Sequence, residues 1–141
     1  MVTVGVAVAV GVLGLATAFG LARRGRDGRV REVAPSRSAG YRLDRLGVVA
    51  GTPVTLVQFS SAFCAPCRAT RLVCADVAST VDGVRHVEVD AQSHLDAVRA
   101  LDIWRTPTVL VVDGSGRVVR RASGALSREG VLAMVGELAT R

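Results

Sequence analysis

The sequence predicts an α/β domain, in which a mixed sheet packs between helices, behind one N-terminal membrane-spanning helix. Three observations support this prediction. Residues 2–22 contain no charged side chain, a C-x-x-C motif stands between a strand-like and a helix-like run, and strand and helix patterns alternate from residue 54 onward.

The N-terminal segment is long enough to cross a membrane. A helix over the 21 residues Val2 to Ala22 measures about 31 Å, which matches the hydrocarbon core of a bilayer. We therefore predict a transmembrane helix at residues 1–22. A cleavable signal peptide is the alternative, because residues 16–18 fit the A-x-A cleavage pattern, but no basic side chain precedes the apolar run. Small residues at four-residue spacing also allow a weak homodimer through this helix.

Residues 23–40 combine Arg, Gly, Ser and Pro without periodicity. This composition predicts a flexible linker that lies against anionic headgroups. Because the arginines follow the apolar segment directly and none precedes it, the positive-inside rule places the domain at residues 41–141 in the cytoplasm. An extracytoplasmic domain is the alternative.

The net charge of +6 is concentrated in front of the domain. Residues 23–45 hold 8 arginines and 3 acidic residues, whereas residues 46–141 hold 10 arginines and 9 acidic residues. The domain is therefore nearly neutral, and it lacks paired aromatic residues that could stack on bases. These features exclude a nucleic-acid partner.

The C-x-x-C motif stands where a strand meets a helix. Residues 54–59 form a mainly apolar run rich in β-branched residues, which predicts a strand. Residues 67–81 contain no Gly or Pro, which predicts a helix with Pro66 at its first position. Cys64 would then lie at or beside the N-cap, where the helix dipole favours a thiolate. Cys67 lies one turn further on and can form a disulfide with Cys64. This arrangement is suited to reversible dithiol chemistry.

The remaining elements follow in the order β-α-β-β-α. Residues 41–49 give only a weak signal for an opening helix. The predicted elements are a strand at 84–89, a helix at 92–101, strands at 108–112 and 117–121 joined by a hairpin turn, and a last helix that Ser127 caps.

Residues 59–68 resemble the active-site stretch of the thioredoxin family. Two later segments agree: residues 105–108 resemble the loop in which that family carries a cis-proline facing the dithiol, and residues 124–127 resemble the approach to its last helix. The resemblance covers residues 41–141. It implies a thioredoxin-like three-layer α/β/α sandwich and a protein-disulfide reductase that needs no organic cofactor. Many membrane-anchored members carry the domain outside the cytoplasm, which opposes the orientation predicted from charge.

The resemblance also implies the residues of the site and its partners. Cys64 would attack the substrate, and Cys67 would resolve the mixed disulfide. The partners would be disulfide-containing proteins and an upstream dithiol donor. The substrate groove would be formed by Thr106, Pro107, Phe63, Ala65 and Pro66.

The sequence departs from the family pattern at three positions. Gln58 replaces a buried acid that accepts the proton of the second cysteine, His86 replaces a neighbouring lysine, and Phe63 replaces a tryptophan. Gln58 and His86 are therefore a candidate proton relay. For a lone histidine on a strand, a structural role is the alternative.

The sequence is also compatible with other functions. A C-x-x-C can be half of a zinc site, but no second pair exists, so we predict no metal site. Cys74 is expected to pack in the core rather than act as a third redox thiol. The competing functions are a non-catalytic binding module and a metallochaperone, each docking a membrane partner.

Overall fold

The computed structural model describes residues 2–25, 27–33, 40–136 and 138–139. Its helices are α1 (Val2–Arg24), α2 (Ala65–Thr80), α3 (Leu95–Ala100) and α4 (Arg128–Val135), with a 3-10 helix at Leu43–Leu46. Its strands are β1 (Val30–Glu32), β2 (Val54–Ser60), β3 (Val84–Asp90), β4 (Thr108–Asp113) and β5 (Val118–Ser123). They form one five-stranded sheet in the order β1-β5-β4-β2-β3.

Strand β2 lies inside the sheet, between β4 and the edge strand β3. It pairs in parallel with β3 and antiparallel with β4, and all seven of its residues are buried. Its β-branched and aromatic side chains suit a strand covered on both faces. The predicted mixed sheet is confirmed.

Helices cover both faces of the sheet. On one face α2 and α4 bury an apolar cluster that includes Val77 and Met134. On the other face the 3-10 helix and α3 contribute Leu46 and Ala97 to a second cluster, which also contains Phe59. These two cores form a three-layer α/β/α sandwich, as predicted.

The segment between α1 and the domain is not a flexible linker where the structure describes it. Strand β1 pairs antiparallel with β5, and Gly28 N donates to the Ser123 carbonyl oxygen at 3.0 Å. Gly28 has a φ of 71°, and a Cβ there would lie 2.7 Å from the Ala125 carbonyl oxygen. The linker prediction is therefore wrong for these residues, because β1 satisfies the outer edge of β5. Of the predicted linker, residues 26 and 34–39 lie outside the described residues.

Helix α1 is continuous over the predicted transmembrane segment. Residues 3–23 are long and apolar enough to cross a membrane, and they are unburied within the protein. A signal sequence near an N-terminus can meet the same criteria of length and composition. These criteria therefore make α1 a candidate membrane span.

Candidate active site

Cys64 is the N-cap residue of α2. Its backbone is extended, with a φ of −113° and a ψ of 95°, and its sulfur accepts a hydrogen bond from the backbone N–H of Cys67 at 3.2 Å. Ala65 is the first helical residue, so Pro66 occupies the second position rather than the predicted first, where its missing N–H still costs no helical hydrogen bond. The positive end of the helix dipole therefore lies at the Cys64 sulfur.

Cys64 and Cys67 form a disulfide, with a Cα–Cα distance of 5.1 Å. The two residues differ in exposure, since Cys64 is half-buried and Cys67 is only 2% exposed. Phe63, Ala65 and Pro66 are all exposed around Cys64. An incoming thiol or disulfide therefore reaches Cys64, whereas Cys67 is shielded.

The loop that contains Pro107 is joined to the loop that leads from β2 to Cys64 at the start of α2. The hydroxyls of Ser61 and Thr106 are hydrogen-bonded at 3.0 Å. The Thr106–Pro107 peptide bond is cis, as predicted, and the Pro107 carbonyl oxygen accepts a hydrogen bond from Gly124 N at 2.8 Å. The sequence-predicted groove residues thus come from the Pro107 loop, from the loop that ends at Cys64 and from the first turn of α2, and the Ser61–Thr106 hydrogen bond joins the two loops.

A groove of about 370 Å³ runs beside the disulfide. Both cysteines line it, and its polar wall includes an ion pair between Arg71 and Glu88 at 3.2 Å. Arg68 and Asp90 complete this wall. Charges of both signs therefore surround the dithiol, so the groove itself favours neither acidic nor basic substrates.

Gln58 lies behind Cys67 and is fully buried. Its amide nitrogen donates to the Cys67 carbonyl oxygen at 2.9 Å and to the Ser60 hydroxyl at 2.8 Å. Because a carbonyl oxygen only accepts, the nitrogen must face Cys67, and the amide oxygen then faces His86 Nε2 at 3.2 Å. His86 is therefore the donor in that hydrogen bond.

Burial lowers the pKa of His86, while the Glu88 carboxylate opposes this shift. A neutral His86 with its proton on Nε2 fits the hydrogen bond to Gln58. An amide does not take up a proton at physiological pH. Among the described residues, the hydrogen-bond partners of the Gln58 side chain are a hydroxyl, a carbonyl and an imidazole, and none of them is a carboxylate. The structure thus brings together the predicted relay residues, with Gln58 holding the Cys67 backbone.

Cys74 lies within α2 and is completely buried in the apolar cluster between α2 and the sheet. Burial raises the pKa of its thiol to about 12. A thiol in this environment is inert as a nucleophile, which agrees with the predicted core role.

The described residues contain no group of three or more His, Cys, Asp and Glu side chains that could hold a metal ion.

Sequence reasoning missed Ser60, Ser61 and Trp104. Ser60 follows Gln58 by two positions and lies on the same face of β2, so the spacing alone could have indicated that their side chains are neighbours. The contact between Ser61 and Thr106 spans 45 residues, so no local pattern could reveal it. Trp104, three residues before Pro107, is 88% exposed, and only the structure shows that it lines a cleft.

A disulfide at a helix N-terminus, within this fold, defines the class of thiol–disulfide oxidoreductases. A family model described as Thioredoxin matches residues 47–137, which is more than half of the chain. The chain therefore belongs to the thioredoxin family. No curated protein sequence matches it.

Several solved structures share the fold. A mutant thioredoxin from Halobacterium salinarum NRC-1 is 15% identical with a TM-score of 0.62, covering 70% of this chain and 86% of its own. Chlamydomonas reinhardtii thioredoxin f2 is 21% identical with a TM-score of 0.56, covering 67% of this chain and 85% of its own. Fasciola hepatica thioredoxin is 20% identical with a TM-score of 0.56, covering 68% and 86%. At these identities the likeness supports the fold alone.

Proposed function

We propose that the protein is a membrane-anchored oxidoreductase that reduces disulfides in other proteins through Cys64 and Cys67. The observation that supports this most directly is the Cys64–Cys67 disulfide at the start of α2, with Cys64 partly exposed and Cys67 shielded. Exposure and the helix dipole favour Cys64 as the attacking thiolate.

The reaction consists of two exchanges. In the reduced protein, the Cys64 thiolate attacks one sulfur of a substrate disulfide, so that a mixed disulfide forms and one substrate thiolate leaves. The Cys67 thiolate then attacks the Cys64 sulfur, forming the Cys64–Cys67 disulfide and releasing the second substrate thiolate. Two electrons pass to the substrate, and the released thiolates take protons from solvent and from the Cys67 thiol. A dithiol donor returns the electrons by the same exchange in reverse.

Reduction of insulin disulfides tests this proposal. The full chain in detergent, with dithiothreitol as the electron donor, should reduce insulin faster than dithiothreitol alone. Cys64→Ser and Cys67→Ser should abolish the acceleration, while Cys74→Ser, a matched change at a buried thiol, should retain it. If the folded, fully reduced protein did not accelerate insulin reduction, the result would favour a non-catalytic binding module.

The proposal places α1 across the membrane and the domain on the cytoplasmic side. Support comes from the length and apolar composition of α1 and from the arginines that follow it. A cytoplasmic dithiol would be kept largely reduced by the surrounding thiol pool.

Reporter fusions after Arg141 test the orientation. A fluorescent protein that folds only inside the cell should be bright, and alkaline phosphatase, active only outside, should be silent. Phosphatase activity without fluorescence would reverse the orientation and indicate an extracytoplasmic role in thiol maintenance. Either orientation leaves the roles of Cys64 and Cys67 unchanged.

A further inference from the structure

We propose that Asp27 is a positioning residue of the substrate groove and that it acts through Arg105, in the loop before Pro107. This inference rests on the proposed function, and it adds to the site a residue from the segment between α1 and β1. Asp27 is the third residue after the end of α1, and it precedes residues 47–137, which match the family model.

Asp27 and Arg105 form an ion pair that links two distant parts of the chain. The Arg105 guanidinium donates to the Asp27 carboxylate at 2.8 Å. The same nitrogen, Nη2, also donates to the carbonyl oxygen of Ser123, the last residue of β5, at 2.8 Å. The Arg105 and Asp27 side chains are 40% and 35% exposed, so solvent screens this pair less than a fully exposed one. The shared nitrogen therefore holds Arg105 between the segment before β1 and the end of β5.

The backbone around the ion pair leaves room for it. A Cβ at Gly124 would lie 2.9 Å from Arg105 Nη2 and 3.0 Å from Asp27 Cβ, so a side chain there would push the pair apart. Gly124 also has a φ of 95°, which favours glycine. The Ser123 carbonyl oxygen accepts from Gly28 N as well as from Arg105. The segment that contains Asp27 is thus seated on the turn that follows β5.

Arg105 lies at the start of the loop that supplies two of the predicted groove residues, Thr106 and Pro107. Its carbonyl oxygen accepts a hydrogen bond from the Thr108 hydroxyl at 2.8 Å, which closes the loop. The Thr106 hydroxyl is hydrogen-bonded at 3.0 Å to that of Ser61, which lines the groove beside the disulfide. A displacement of Arg105 therefore reaches the groove within one or two residues.

The competing role for this ion pair is to fasten the segment after α1 to the domain. That task is already performed by the pairing of β1 with β5 and by the hydrogen bond from Gly28 N. A positioning role is favoured because Arg105 is adjacent to Thr106 in the chain, and because holding reacting groups in place contributes to rate and binding.

Two disulfide substrates of different size test the proposal. In the full chain in detergent, Asp27→Ala should raise the KM for insulin about two- to fivefold, the range that a partly exposed ion pair supplies, and leave kcat unchanged. Oxidation of the reduced protein by hydroxyethyl disulfide, a small molecule that needs access only to Cys64, should keep its rate. If the alanine variant does not fold, Asp27→Asn, which keeps the shape and removes the charge, takes its place and should raise the KM in the same direction.

A second variant tests whether Asp27 acts through Arg105. In an Arg105→Ala background, Asp27→Ala should raise the KM no further, because the partner is already absent. The matched control is Asp76→Ala, which breaks the ion pair between Asp76 and Arg128 at 2.7 Å, whose side chains are each 49% exposed. This control should leave the KM for insulin and the rate with hydroxyethyl disulfide unchanged.

The other outcomes overturn the proposal. These are an unchanged KM for insulin in a folded variant, an equal loss with both substrates, and a further rise of the KM in the Arg105→Ala background. An equal rise in Asp76→Ala would also overturn it, because a general loss of stability would then be the cause. A wild type that reacts with hydroxyethyl disulfide but does not accelerate insulin reduction would overturn the proposed function itself. An active wild type with an unaffected Asp27→Ala variant would overturn this role alone.

Discussion

The side-chain amide of Gln58 donates a hydrogen bond to the carbonyl oxygen of Cys67 at 2.9 Å, from a position that is completely buried. This contact fixes the backbone of the shielded cysteine. It also places beside that cysteine a group that cannot accept its proton. The second exchange of the proposed reaction therefore proceeds without an adjacent general base at Gln58.

Gln58→Glu should accelerate resolution of the mixed disulfide, because a carboxylate at this position can take the Cys67 proton. A gain of about tenfold or more is expected, since general bases contribute roughly 10²–10⁴-fold. Stopped-flow measurement of release of the second substrate thiol, in a single turnover, checks this.

The matched control is Gln58→Met, which keeps the length of the side chain and removes its hydrogen bonds. It should give no acceleration and should lower the free energy of unfolding by about 1–3 kcal/mol. If the Glu variant and the wild type, both folded, resolved the mixed disulfide at equal rates, the absence of a base at position 58 would not limit the rate of resolution.

Cys64 should be the first cysteine to react in the reduced protein. At mildly acidic pH, iodoacetamide should label Cys64 well before Cys67, because Cys64 is more exposed and lies at the helix N-terminus. Cys74 should be labelled only after denaturation, since burial raises the pKa of its thiol to about 12. Mass spectrometry of the digested protein gives the order, and labelling of Cys67 first would reverse the assignment.

Cys67→Ser should trap substrates. Without the resolving thiol, Cys64 should retain partner proteins as mixed disulfides that reducing agents release, visible as adducts on non-reducing gels. The control is Cys64→Ser, which should yield none. If both variants gave the same pattern in cells, the proposed exchange reaction would be wrong.

His86 should make stability depend on pH. Burial lowers the pKa of His86 in the folded protein below its usual value of 6.5, so below about pH 6.5 the unfolded chain binds more protons than the folded one. Relative to His86→Gln, wild-type stability should therefore be constant above about pH 7 and fall as the pH drops below about 6.5. The slope should reach at most about 1.4 kcal/mol per pH unit.

Urea unfolding of the wild type and of His86→Gln, between about pH 5 and about pH 8, measures the difference in their stability. A difference that stays flat across the range would show that His86 binds protons equally in the folded and unfolded states.

The sequence predicted the elements from residue 54 onward to within a few residues, because strong apolar runs and clear turn and cap residues mark them. It failed at β1, which is three residues long and pairs with a strand about 90 positions away. It predicted Gln58 and His86 as a proton relay, but it did not predict which atom donates in the hydrogen bond between them. That assignment depends on the Cys67 carbonyl oxygen, which only the packing of α2 on β2 brings to Gln58.

The pairing of β1 with β5 also restricts where the dithiol can operate. A flexible linker of 18 residues would let the domain reach far from the end of α1. Instead, β1 joins the sheet only six residues after α1 ends. With α1 in a bilayer, the domain searches for partners by lateral diffusion, close to the surface. Such a tether raises the effective concentration of substrates at the same height and removes distant ones from reach. Selection among disulfides would then depend on their height above the membrane as well as on their sequence.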